Sequence, residues 1–409
     1  MDFDLIIFTS ATALDSTSPM NQVRIPLYEA LARQLLSKGQ VLVVTHYLSV
    51  LPDAATAPRR LFHRIIATGL RQVADNLYVY SPLIPMKLGL VAKSYILLQA
   101  ARAHLGRQVQ AMCREAGLAN AHRVVSVNDP FHGVLLGLLG ESLRVFDCLD
   151  EYALYGGVET PNQLTLRLER DLAQRVDVVL TTSQPLLEKM RRLNAHTYYS
   201  PNAADYEFFH RAALESTPTP SVLDDIPRPI VGFMGNLTHW YDFPLLRSVI
   251  EGKPEWSFVF IGWVTPYPSC ASDIHAIQAL PNTYFLGCQQ FEALPSFLKG
   301  FDVAIMPYRL SGAGPTVNPD KMYQYIAAGL PVVATPTPEI AQFSEVIQVA
   351  VDAEGFVQAI TRCVSKNGGD LIKRRTEIAQ RETWEHRAQR QLAIMDDCLQ
   401  RKIAANAAS

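Results

Sequence analysis

The sequence predicts an α/β protein of two doubly wound domains, each with a parallel sheet, facing one another across a cleft. Three observations predict it. Short runs rich in β-branched and aromatic residues alternate with longer stretches of helical periodicity along the whole chain. That alternation breaks once, at residues 214–229, where Pro218, Pro220, Pro227 and Pro229 stand among Ser, Thr and Asp. The chain has 409 residues, 48% hydrophobic and 19% charged, enough apolar material for two large cores and too much for a disordered chain.

The elements follow in order. Residues 2–8 carry no basic stretch ahead of a short apolar run, so 5–9 reads as a first strand and not as a signal peptide. A helix is expected over 25–38, ended by Gly39 as a left-handed cap. Strands follow at 41–45, 124–127, 143–146 and 176–181, with helical segments between them. The apolar stretch 81–99 contains Lys87 and Lys93 and falls short of a membrane span. After the proline-rich segment, strands are expected at 230–234, 257–261, 283–286, 303–306 and 332–334, and a helix at 243–251. This divides the chain into a first domain over 1–213, a linker over 214–229, a second domain over 230–382 and a closing helix over 383–409.

Charge and cysteine usage exclude several classes. A formal net charge of −2 argues against nucleic acid as a partner. Cys113, Cys148, Cys270, Cys288, Cys363 and Cys398 form no Cys-x-x-Cys pair, so neither a disulfide framework nor a zinc site is expected. A reduced, cytoplasmic protein fits best. Locally the balance differs: residues 54–114 hold nine Lys or Arg against Asp75 alone, a formal +8. Within 59–71, Arg59, Arg60, Arg64 and Arg71 are interleaved with Leu61, Phe62, Ile65, Ile66 and Leu70 at helical spacing. Two readings stand. The helix packs on its own domain, or its basic face rests on anionic lipid or collects a phosphate-bearing acceptor. The second makes 59–114 a peripheral contact on the inner face of the cytoplasmic membrane.

The strongest local motif is Asn318-Pro-Asp-Lys-Met-Tyr-Gln-Tyr-Ile-Ala-Ala-Gly329, preceded by Ser311-Gly-Ala-Gly-Pro315. Asn318 suits an N-cap, Pro319 the first helical position and Asp320 the first turn. A glycine loop containing Gly314 thus feeds a helix N-terminus, which suits a diphosphate. Arg309 and Lys321 flank it and could neutralise the phosphates. Asp150 ends the Phe146-Asp-Cys-Leu-Asp150 run and, with Glu151, either orients an acceptor hydroxyl or caps a strand end. His132 is either a strand-end cleft residue or a structural histidine. Gly287 ends in a turn that either touches a nucleobase or does not. Glu339 either approaches the donor or caps a helix, and Trp240 either packs in a core or stacks on a base.

In their order and spacing these pieces resemble the retaining glycosyltransferases of family 4, of GT-B fold, in the branch similar to teichuronic acid and capsule biosynthesis enzymes. The resemblance covers nearly the whole chain. It rests on Phe146-Asp-Cys-Leu-Asp-Glu151, Thr182-Ser-Gln-Pro185 with Ser200-Pro-Asn202, Val231-Gly-Phe-Met-Gly-Asn236, Asp302-Val-Ala-Ile-Met-Pro307 and Gln324 to Val333. It implies a first domain that binds the acceptor, a second that binds a nucleotide-diphosphate sugar, and a closing helix around Trp384 that crosses back. It implies no metal and no cofactor beyond the donor substrate, and transfer of a hexose with retention to a surface polysaccharide or lipid-linked precursor. Carried over by position, Gly235, Asn236, Gly287, Gly314, Thr316, Asn318, Asp320, Gln324 and Glu339 would surround the donor. Asp150, His132, Arg309 and Lys321 would take part in catalysis. The sequence departs from the family's glutamate pair: Thr316 and Gln324 stand at those positions, which leaves the donor-sugar contact to Asn318 or Asp320. A sugar-nucleotide epimerase of the same fold, or an inactive nucleotide-sugar-binding scaffold, are the alternatives.

Overall fold

A computed structural model describes residues 2–9, 24–45, 48–49, 69–84, 95–155, 161–265, 267–365 and 368–408. The amphipathic segment with Arg59, Arg60 and Arg64 lies outside the described residues, as do Lys87 and Lys93.

The first half runs β1 (Asp4–Phe8), α1 (Ile25–Leu35), β2 (Val41–Val44), β3 (Leu48–Ser49), β4 (Arg71–Ala74), β5 (Leu77–Tyr80), β6 (Leu83–Ile84), α2 (Tyr95–Glu115), β7 (Arg123–Val127) and β8 (Leu143–Cys148). It continues with α3 (Gln163–Arg175), β9 (Val178–Thr181), α4 (Gln184–Arg191), β10 (Thr197–Tyr199) and α5 (Tyr206–His210). Its main sheet has the order β10-β9-β8-β7-β1-β2-β5-β4, parallel except for the β4–β5 hairpin. Strands buried on both faces read as unbroken apolar runs, as β2 and β9 do here. The edge strand β4 is absent from the sequence expectation for the complementary reason: it is exposed throughout and its Arg, Gln and Ala carry no strand signature.

The second half runs β11 (Ile230–Met234), α6 (Phe243–Glu251), β12 (Ser257–Ile261), α7 (Ala271–Gln278), β13 (Thr283–Gly287), α8 (Leu294–Lys299) and β14 (Val303–Met306). Then come α9 (Asp320–Ala327), β15 (Val332–Ala334), α10 (Pro338–Ala341), β16 (Ile347–Val349), α11 (Ala353–Ser365), α12 (Gly369–Ala379) and α13 (Trp384–Ala408). Its sheet is parallel, in the order β13-β12-β11-β14-β15-β16. In each sheet the strand order reverses beside the first strand, β1 or β11. The carboxyl ends of strands at such a reversal leave a crevice for a ligand.

Two expectations are corrected. Gly39 is not left-handed: α1 ends at Leu35, its C-cap Leu36 is right-handed, and Gly39 has no positive φ. Glycine is needed there for close approach, because a Cβ would lie 1.9 Å from the carbonyl oxygen of Phe3. Residues 214–229 do not stand free between the halves. Leu223 and Ile226 are buried in the second core, and Lys299 Nζ donates to the carbonyls of Leu214, Glu215 and Thr217.

Helix α13 leaves the second half and returns to the first. Trp384, Ala388, Met395 and Leu399 share a core with Phe3, Leu5, Leu27 and Leu31. Polar contacts pin it along its length: Arg387 Nε donates to Pro201 O at 3.1 Å, Gln391 to Ser200 Oγ at 2.9 Å, and Lys402 pairs with Asp177 at 2.7 Å.

Candidate active site

The carboxyl ends of the two sheets enclose a cleft of about 530 Å³. Arg24, Leu149, Asp150, Tyr155 and Asn202 line it from the first half. Gly235, Asn236, Trp240, Asp320, Lys321 and Gln324 line it from the second.

Its floor is built by β11 and α9. The turn after β11 places Gly235 at φ +137°, a conformation that excludes ordinary side chains. A Cβ there would lie 2.8 Å from Lys321 Cε, so the glycine lets the lysine stem pass under the loop. Lys321 is 9% exposed. Its ammonium donates to the hydroxyls of Tyr241 at 2.8 Å and Tyr308 at 3.2 Å. Among the described residues no carboxylate lies within ion-pair distance of it. Burial works against the charged form, but the Tyr241 hydroxyl and the neighbouring Asp320 outweigh it and hold the lysine above its ordinary range. The result is a fixed, buried cation without a directly bonded counter-ion, opening into a cleft.

Among the described residues, the first-half wall carries one carboxylate, Asp150, and one arginine, Arg24. Asp150 follows β8 and accepts from the Tyr155 hydroxyl at 2.5 Å. Burial pushes its carboxyl up to about 6, against the pull of the Tyr155 hydrogen bond and of Arg24. Arg24, just ahead of α1, donates to Asp147 Oδ2 at 2.7 Å, a pair that is nearly dry. Arg24 and Tyr155 were not singled out in the sequence. Arg24 meets Asp147, and the Tyr155 ring meets Trp240, only through the fold.

The remaining expected residues sort clearly. Asn236 lines the cleft and accepts from Thr265 Oγ1 at 2.9 Å. Gln324 lines it too, its amide donating to Asp320 at 3.2 Å. Asn318 lines the cleft but is not the N-cap of α9. That position is Pro319, and the Asn318 amide turns instead to Glu339 at 2.7 Å and Tyr323 at 3.2 Å. Asn202 binds its backbone carbonyl at 2.7 Å.

Glu339 is not at the cleft. It is fully buried between the halves and accepts from Gln184 N at 2.6 Å, Tyr199 Oη at 2.5 Å and Asn318 Nδ2. Thr316 gives its hydroxyl to Ala313 O at 2.7 Å in the turn before α9. Gly314 is buried against Arg309, where a Cβ would lie 1.9 Å from the Arg309 carbonyl oxygen. Arg309 does not line the cleft, and its Nε donates to Tyr241 O at 3.2 Å. His132 is buried under β1, its ring 6.0 Å from that of Phe8, and is likewise outside the lining. Gly287 ends β13 at φ +69° with open space around it, away from the cleft. Glu151 is drawn off by Lys189, at 2.7 Å, which also holds buried Glu169 at 2.5 Å.

Residues 228–366, which include this floor, match the family model described as Glycosyl transferases group 1. Over these residues the chain is similar to the group 1 glycosyltransferases. The chain has a relative in TuaH of Bacillus subtilis (strain 168), by its name a proposed teichuronic acid biosynthesis glycosyltransferase. The two are 26% identical over 260 residues, 59% of this chain and 63% of that protein. The match thus spans somewhat under two thirds of the relative's length. Two solved structures share the whole architecture. Anabaena Alr3699/HepE, crystallised with UDP, is 14% identical over 97% of this chain and 100% of its own, with a TM-score of 0.62. The α,α-trehalose 6-phosphate synthase of Burkholderia multivorans is 14% identical over 100% of both chains, with a TM-score of 0.69. At these identities the likeness is one of fold, and the fold is GT-B.

Proposed function

We propose that this protein transfers a hexose from a nucleotide-diphosphate sugar to a cell-surface polysaccharide or lipid-linked glycan precursor, with retention at the transferred carbon. One observation carries the reading: Lys321, a buried cation with no paired carboxylate among the described residues, lies beneath the Gly235 turn on the floor of a cleft between two parallel sheets. A burial of that kind fits an anion that arrives with the substrate. A diphosphate matches the charge, and Anabaena HepE, of the same fold, has been crystallised with UDP-glucose.

The chemistry follows from the charge that must be held. The bond from the sugar C1 to the terminal phosphate oxygen breaks, and negative charge builds on the leaving diphosphate. Lys321 stabilises that charge, with Gly235 leaving room for it. The acceptor oxygen forms the new bond to C1 on the same face, and its proton passes to the departing phosphate oxygen. Asp150 orients the acceptor hydroxyl. Gln324, Asn236 and Asp320 are the polar groups left for the ribose and the donor sugar. No metal enters this scheme. The residues assigned to it fall in units bounded at 1–213 and 230–382, the acceptor met by the first and the donor by the second.

A thermal-shift series with UDP, GDP, TDP and CMP tests the donor site. At least one should raise the unfolding midpoint of the wild type. If none does, the donor site is lost. Incubation with donor alone separates transfer from epimerisation, because an altered sugar without acceptor would favour the latter. We also place the protein peripherally at the inner face of the cytoplasmic membrane through residues 59–114. Flotation with anionic but not neutral vesicles is the expected result. One cation of that segment is already engaged, since Arg102 donates to Leu136 O at 3.2 Å.

A further inference from the structure

Tyr155 is 46% exposed although its hydroxyl is fixed on Asp150 at 2.5 Å. From the other half, Trp240 meets its ring edge-on, with centroids 6.0 Å apart and planes at 89°. His239 stacks on Trp240 at 4.9 Å, and Tyr267 meets His239 edge-on at 4.7 Å. All four rings line the cleft. They make one aromatic wall that starts in the first half, beside a carboxylate, and ends in the second.

A large ring held rigid yet left open to a cleft has a specific chemical match. A pyranose presents C–H bonds from its faces, and their partial positive charge suits the negative face of an aromatic ring. It presents hydroxyls at its edge, and these suit a carboxylate acceptor. The wall's first-half end belongs to the half assigned to the acceptor, whereas the Gly235 turn and Lys321, where the diphosphate is assigned, belong to the second half. A ligand seated on Tyr155 is therefore the second substrate and not the donor.

We propose that Tyr155 and Trp240 form the acceptor-sugar subsite, on which a neutral pyranose stacks and gives a hydroxyl to the Asp150 carboxylate. This rests on the transferase reading, since only transfer requires a second sugar in the cleft, and it names the residues that select that sugar. Because the wall is contributed by both halves, the subsite is complete only when they are together.

The test uses the full chain and saturation-transfer difference NMR with the methyl α- and β-pyranosides of D-glucose, D-galactose and D-mannose. Thermal shifts with the four nucleotides run in parallel. At least one glycoside should show saturation transfer to the ring protons of one sugar face. Tyr155→Ala and Trp240→Ala should weaken that binding roughly tenfold, the scale of a lost aromatic contact. Tyr155→Phe should retain the stacking signal, and Trp240→Phe should fall between, which keeps the test usable if an alanine variant fails to fold. The nucleotide shift should persist in every variant. The proposal is overturned if no glycoside binds a wild type that binds nucleotide, or if the alanine variants bind as the wild type does. It is also overturned if Trp240→Ala loses the nucleotide shift, because the ring would then belong to the donor. Absence of any nucleotide shift in the wild type would overturn the transferase reading, and this subsite with it.

Discussion

At the scale of single residues, the cleft sets a cation and an acid in opposite kinds of environment. Lys321 keeps its charge although it is buried, held by two phenol hydroxyls and by Asp320. Replacing it by methionine keeps the stem and removes the buried charge. Lys321→Met should therefore leave the ligand-free midpoint unchanged or raised, abolish the nucleotide-induced shift, and lower kcat/KM by at least about 100-fold. Differential scanning fluorimetry and donor consumption read these outcomes. Asp150 shows the reverse bias: burial raises its carboxyl to about 6, above its ordinary value of 3.8. The folded state then binds that proton more tightly than the unfolded chain. Its contribution to stability is complete below pH 3.8 and is lost as pH rises to about 6. Activity should follow the opposite course, because the ionised carboxylate is the acceptor of a hydroxyl: the rate falls as pH drops through about 6. Asp150→Asn should lose that acid limb and gain thermal stability at pH 7. A variant that keeps the limb would assign it to another group. Asp150 and Lys321 were legible in the sequence because each sits in a local motif, a strand end or a helix start. Arg24 was not, since its partner Asp147 meets it only across the fold. His132 was misleading for a physical reason: a strand-end position says nothing about which face of the sheet the side chain enters, and this one enters the core.

At the scale of elements, strands with two buried faces were the most readable. The bounds of β11, β12, β14, β15 and α6 fall where the sequence places them, because each is an apolar run stopped by glycine, proline or a polar cap. The edge strand β4 and the short outer strands β10 and β16 escaped because an edge strand need bury only part of itself. Helix starts were read better than their chemistry. Proline and aspartate marked α9, yet Asn318 was drawn into the inter-half network and Pro319 took the cap. Helix α13 is an element whose energetic weight exceeds its position at the chain's end. Leu399 and Trp384 are both buried against the first half. Leu399→Ala should cost about 2–5 kcal/mol and Trp384→Ala about 3–5 kcal/mol, measured by urea unfolding. A loss below about 1 kcal/mol would mean the helix is only loosely seated.

At the scale of the whole molecule, the halves are held by a buried polar clamp. Glu339 accepts from Gln184 and Tyr199 of the first half and from Asn318 of the second, and Asn318 in turn receives Asn202. Glu339→Ala leaves those donors dry and unbonded, at a cost of about 2–5 kcal/mol. Calorimetry should then show two separated transitions where the wild type shows one, with nucleotide binding retained by the second half. A single unchanged transition would mean the clamp does not couple the halves. The division into two sheets was legible from the restart of alternation after 214–229. The clamp was not, because its members are spread from Gln184 to Glu339 in the chain and only the docking of the halves assembles them. The return of α13 has a further consequence, in the order of synthesis. Phe3, Leu5 and Leu31 leave the ribosome long before Trp384, Met395 and Leu399, which cover them. The first half therefore waits through the synthesis of the second with one face of its core uncovered. Its final closure waits until α13 has left the ribosome. A nascent chain halted before residue 384 should expose that face to chaperones, whereas one halted after 399 and held clear of the exit tunnel should not.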